Sequence, residues 1–186
     1  MSDPLIEPDL QPPRLPLLLA AGLESMLDAI GKLLLVAAAL VVVGEFAAVA
    51  LRYGWSFSRP WLQESVLAAN AALFLLGAAY TLRHDEHVRV DLWSRRWSPR
   101  AQAWAELVGF GLFLLPFCTL IAWGGWFYFM RSWGMSEGSN QPGGLPALYL
   151  VKALIPAAGL LLIAAGIARA LRAVAVLTDK PLDAQS

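Results

Sequence analysis

The sequence predicts an all-α integral membrane protein with four transmembrane helices, and three observations predict it. Of 186 residues, 58% are hydrophobic and only 15% charged, where a soluble domain usually carries about 25% charged residues; the mean hydropathy is +0.58. Four stretches, 33–51, 65–82, 107–130 and 145–168, are long enough to cross a hydrocarbon core about 30 Å thick, which takes roughly 17–25 helical residues. Each contains at most one charge: Glu45 in the first and Lys152 in the fourth. Alternation at period two is absent, which argues against a membrane β-barrel.

The composition also excludes other classes. Basic and acidic residues number 14 each, so the net charge is zero and there is no bulk basic footprint for nucleic acid. Cys118 is the only cysteine, which leaves no disulfide framework; in the third span it reads as a packing residue.

Residues 1–16 are acidic and Pro-rich and are expected to form a disordered cytoplasmic tail. Asp3, Glu7 and Asp9 stand where a cleavable signal would need a basic start, so the first span itself is expected to direct insertion. The membrane domain is expected over 17–172. Its lead is amphipathic: Leu23, Met26, Leu27 and Ile30 recur at helical spacing, with Glu24, Asp28 and Lys32 on the other face. This predicts an interfacial helix running unbroken into the first span.

The first loop holds Tyr53, Trp55 and Phe57, aromatics suited to the headgroup layer. Small residues Ala68, Ala72 and Ala79 mark a packing face on the second span. The segment between spans two and three contains Trp93 and Trp97 among Arg89, Asp91 and Arg95, and reads as a short interfacial stretch. Ser98 and Pro99 then supply an N-cap and first turn. Pro116 and Pro156 are expected to bend spans three and four, and Pro146 suits the first turn of span four. Residues 173–186 read as a cytoplasmic tail. Lys and Arg divide ten to four between the two sides, which puts both termini and the middle loop in the cytoplasm.

Ionisable residues inside a span are functional candidates, because burying one costs at least about 2.5 kcal/mol. Glu45 has two readings: an intrahelical pair with Arg52, or a position facing a cavity or partner subunit that supplies a basic group. Glu64 opens span two, where the helix dipole favours a carboxylate, and a capping role accounts for it. His84 and His87 sit in the middle loop with no third ligand of convincing spacing, and no His lies within a span to hold haem. No phosphate loop, nucleophile triad or metal-ligand cluster stands out, so neither enzymatic activity nor a cofactor is expected.

Several short motifs in order resemble a family. Arg52-Tyr53 followed by Trp61-Leu62-Gln63-Glu64 resembles the R-Y … W-x-x-E pattern around the first periplasmic loop of the DctQ-type small permease subunits of tripartite ATP-independent periplasmic (TRAP) transporters. His87-Val88-Arg89-Val90-Asp91 is similar to that family's H-[VI]-x-[VI]-D motif after span two. Leu145-Pro146 and Ile155-Pro156-Ala157-Ala158-Gly159 are similar to its last-span pattern, and the likeness covers about 23–171. The acidic, Pro-rich start has no place in that pattern.

The resemblance implies a small permease subunit of an ion-coupled secondary transporter importing organic acids, sodium being the favoured ion. It implies a bacterial inner-membrane location. Its partners would be membrane lipids, a large multi-span permease subunit in a heterodimer, and a periplasmic substrate-binding protein. The large subunit would carry substrate and move; the small one would be a non-catalytic scaffold that also helps to dock the binding protein. Glu45, expected from its depth, and Arg52, Tyr53, Trp61 and Glu64, carried over by the motif, would contact the partner subunit or the binding protein. His87, Arg89 and Asp91 would organise the cytoplasmic loop, and Trp55, Trp93 and Trp97 would anchor in the interface. Two alternatives compete: a quinone- or haem-binding anchor of a redox enzyme, and an autonomous small transporter using Glu45 as its coupling residue.

Overall fold

Lipid offers the backbone no hydrogen-bond partner, so an apolar stretch in it has to pair its own N–H and C=O groups. The computed structural model describes residues 15–84 and 97–178 and resolves this requirement as four helices. They are α1 (Leu15–Trp55), α2 (Pro60–Arg83), α3 (Pro99–Gly134) and α4 (Leu148–Thr178). All four are long and apolar enough to cross a membrane. Of the expected tails, residues 1–14 and 179–186 lie outside the described residues, as does the middle segment 85–96 with Arg89, Asp91 and Trp93. Residues 15–16 and 173–178, expected as tail, are instead helical and continue α1 and α4, with Ala173 and Ala175 buried.

Helix α1 runs for 41 residues without interruption; at 1.5 Å per residue that is about 60 Å, roughly twice the hydrocarbon core. Its lead is therefore continuous with the first span. The lead's orientation differs from the simple amphipathic picture, however. The buried stripe is Ala20, Glu24, Leu27, Gly31 and Leu34, so Glu24 turns inward while Met26 and Lys32 are exposed. The reason lies in other helices, whose ends bring arginines to Glu24.

Helix α3 begins as its sequence indicates: Ser98 Oγ accepts the N–H of Ala101 at 3.3 Å, and Pro99 opens the first turn. Midway, Phe110–Leu114 widens into a π turn in which the Leu115 N–H reaches Phe110 O. Pro116 follows directly. It has no N–H to give Leu112, and its ring would crowd that carbonyl in a regular α-helix; the wide turn precedes that defect. Pro146 stands in the turn before α4, which starts at Leu148 rather than around Pro146.

Helix α4 is the hub and packs on each of the other three. Its buried positions are small: Ala158, Gly159, Ala165, Gly166 and Ala168 among them. Small residues let membrane helices approach closely, and here the approach reaches backbone contact. A Cβ on Gly159 would lie 2.9 Å from the Ala122 backbone nitrogen and 3.0 Å from the Cys118 carbonyl oxygen. Gly125 of α3 answers it, with no room beside Ile155 and Pro156. Leu27, Ala79 and Ala165 join α1, α2 and α4 in a small core ringed by Leu82, Leu161 and Leu162. Cys118 is fully buried.

Candidate functional site

The polar side chains that bond one segment to another gather at the two ends of the helices. At the end that carries the short loops, α3 terminates in a Schellman turn. Ser136 takes a left-handed conformation, φ 47°, its N–H reaches Trp133 O, and the Glu137 N–H reaches Ser132 O at 3.1 Å. That turn aims the Glu137 side chain back at the helix. Its carboxylate accepts from Ser132 Oγ at 2.6 Å and from Lys152 Nζ at 2.5 Å. Lys152 Nζ also lies 4.2 Å from the centre of the Tyr128 ring, a cation–π distance. The Lys152 ammonium, with the Ser132 hydroxyl beside it, holds the Glu137 carboxyl below the usual carboxylate range. The one charge expected in span four is thus neutralised within the chain.

The rest of that loop is tied to α2. Glu64 accepts the Leu145 N–H at 2.7 Å and a hydrogen bond from Ser139 Oγ. The Trp61 N–H donates to Gly143 O at 3.2 Å, and the Ser139 N–H to Leu145 O at 2.8 Å. Gly144 is required by this closure, since a Cβ there would press on Ser139 and stand 2.7 Å from the Glu64 carboxylate. Glu64 therefore does not cap its own helix, as its sequence position suggested. Helix α2 starts at Pro60 after Arg59 with no side-chain cap, and Glu64, a full turn further in, reaches across to the α3–α4 loop instead.

The Arg-rich end is knit by charges from all four helices. Glu24 accepts from Arg172 at 2.5 Å and stands 3.9 Å from Arg83. Arg83 also pairs with Asp28. His84 stacks on Tyr80, ring centres 4.2 Å apart, with Nε2 3.6 Å from Asp28. Arg169 donates to the Leu82 carbonyl at 3.0 Å and to Glu106 at 2.7 Å. Three arginines and three carboxylates balance. In the sequence Arg83, Arg169 and Arg172 register only within the Lys and Arg bias, which does not reveal this cluster. Its one legible trace is that Glu24, Asp28 and Glu106 stand at the same ends of their helices as the arginines.

Other expected site residues are dispersed. Arg52, Tyr53, Trp55 and Trp61 are exposed near the loop end, Tyr53 at 81%. Trp97 is exposed at the other end, and His87, Arg89 and Asp91 lie outside the described residues. The Glu45–Arg52 pair does not form: seven residues along a helix is about 10 Å, beyond the three- or four-residue spacing at which side chains meet. Among the described residues no three metal-ligating side chains converge.

Much of the lateral surface is apolar and uncovered. Phe113, Phe117, Leu120 and Trp123 project from α3, and Val42, Phe46 and Val49 from α1. A groove of about 470 Å³ runs between α1 and α2 past Gly31, Ala38, Phe74 and Gly77. Long apolar helices, uncovered flanks and polar ties confined to the two ends define a multi-pass membrane protein. A family model described as tripartite ATP-independent periplasmic transporters, DctQ component, matches residues 41–176. The chain belongs to that family and is the small permease subunit of such a transporter. Comparisons with curated proteins and with solved structures gave no match.

Proposed function

We propose that this subunit is a non-catalytic, static scaffold in a bacterial inner membrane. It anchors the large permease subunit of an ion-coupled, binding-protein-dependent importer of organic acids. One observation carries the reading: among the described residues, every carboxylate near a helix end is used to fix one helix or loop against another. Glu24, Asp28, Glu106, Arg83, Arg169 and Arg172 lock four helices at one end, and Glu64, Glu137 and Lys152 hold the loop at the other. Such a unit suits a fixed support better than a moving carrier. The bias of Lys and Arg puts the Arg-rich end in the cytoplasm. The short loops, with Arg52, Tyr53 and Trp61, then face the periplasm, where a substrate-binding protein docks.

The test is extraction of the complex. Tagged chain, co-expressed with a large TRAP permease subunit from the same organism, should recover that permease in mild detergent. Proteoliposomes should take up substrate only when both subunits and the binding protein are present. Uptake by this chain alone, or extraction free of any multi-span partner, overturns the proposal.

A further inference from the structure

We infer that Glu45 is the contact point of an intramembrane polar pair between subunits, its mate being a basic or hydrogen-bond-donating side chain on a transmembrane helix of the large permease subunit. The inference rests on the scaffold reading and adds the chemistry and location of the contact.

Of the two charges within the apolar windows, Lys152 is satisfied by Glu137 and Tyr128, and Glu45 is not. It is exposed on α1 and makes no ion pair or hydrogen bond among the described residues. From Leu35 to Trp55 no residue of α1 is buried within the chain. At this level α1 meets α2 through Gly44, where a Cβ would lie 3.1 Å from Val66. Glu45 is one residue on, about 100° around the helix, and it shares the outward side with Val42, Phe46 and Val49. An apolar helix face is content in lipid; a carboxylate in it is not, and intramembrane ionisable groups pair.

Depth and symmetry narrow the mate. Glu45 lies about 10 Å along the helix from Arg52, too far in for the ammonium of a lipid headgroup. A second copy of this chain docking by the same face would form an isologous contact, bringing Glu45 towards Glu45 with no free cation nearby. A different membrane chain that supplies a donor at this depth satisfies the group, and the assembly holds one such chain.

The experiment uses the co-expressed complex. Photocrosslinkable residues at positions 42 and 46 should give adducts with the large subunit. Glu45→Lys and Glu45→Leu should cut recovery of that subunit at least about tenfold, while Glu45→Gln, which still accepts a hydrogen bond, should retain more. Each variant chain purified alone should melt like wild type, because Glu45 is exposed and makes no ion pair or hydrogen bond among the described residues. The inference is overturned if Glu45→Lys recovers the large subunit at the wild-type level, or if adducts form only with lipid or a second copy. A lowered melting point of the lone variant chain would also overturn it. Recovery of the large subunit by wild type in those cases leaves the scaffold reading standing; its absence from the wild-type preparation removes both.

Discussion

Glu64, in the second turn of α2, accepts the backbone N–H of Leu145 at 2.7 Å and so joins residues 81 positions apart. A charge-assisted bond to a main-chain donor is stronger than a neutral one, and this one fixes the entry to α4. Replacing Glu64 by Ala frees both Leu145 and Ser139. Hydrogen exchange at the Leu145 amide should then accelerate on the order of tenfold or more, with α1 amides unchanged. Equal protection in the variant would mean that the loop is held by its own turns.

The α3–α4 contact makes a sharper demand. A methyl group at Gly159 meets the backbone of Ala122 and Cys118 rather than a movable side chain, so the helices have to part. Gly159→Ala should destabilise the protein by about 1–3 kcal/mol, the usual range for overpacking. Gly124→Ala, with open space around its Cβ position, should be close to neutral. Tryptophan-fluorescence melting curves in detergent compare the two.

The charge cluster predicts an asymmetry. Glu24 is 7% exposed and faces two arginines, whereas the Arg172 side chain is 61% exposed. Arg172→Ala leaves the buried Glu24 carboxylate with only Arg83, at 3.9 Å, and should cost about 2–3 kcal/mol. Glu24→Ala leaves Arg172 largely solvated and Arg83 still paired with Asp28, and should cost less than about 1 kcal/mol. Thermal midpoints of the single variants decide the order, and similar losses would mean that Glu24 and Arg172 act only as a pair.

Acid should loosen the α3–α4 loop through Glu137. Its carboxyl is held below the ordinary value of 4.5 by Lys152 and Ser132. The folded state therefore binds this proton less readily than the unfolded state. The contribution to stability is complete above pH 4.5 and is lost as pH falls through the lower folded value. The wild-type melting point should fall more steeply below pH 4.5 than that of Glu137→Gln, and the two should run parallel from pH 6 to 8. Parallel curves through the acid range would contradict this.

The orientation inferred from Lys and Arg is checked by labelling. With Cys118 fully buried, a cysteine at exposed Asn140 should react with an impermeant maleimide in intact spheroplasts. One at exposed Arg100 should react only after lysis. The reverse pattern would invert the topology.

The four spans were legible because their signal is local: about 20 apolar residues in lipid have to become helix whatever surrounds them. The Ser98–Pro99 start of α3 was legible for the same reason. Glu64 misled because its position near a helix start fits a cap, while its real partners arrive from residues 139 and 145. Glu24 misled because helical spacing alone assigns it to a polar face, and nothing near it in sequence reveals that Arg172, 148 positions away, turns that face inward.

Hydropathy and charge bias thus determined that the chain crosses the membrane four times, since each segment's partition into lipid depends on its own side chains. Which carboxylate meets which arginine, how closely α3 can approach α4, and which carboxylate among the described residues is left without a mate were decided by the packing of helices against one another. Those are distances between segments far apart in the chain, and no local pattern of residues encodes them.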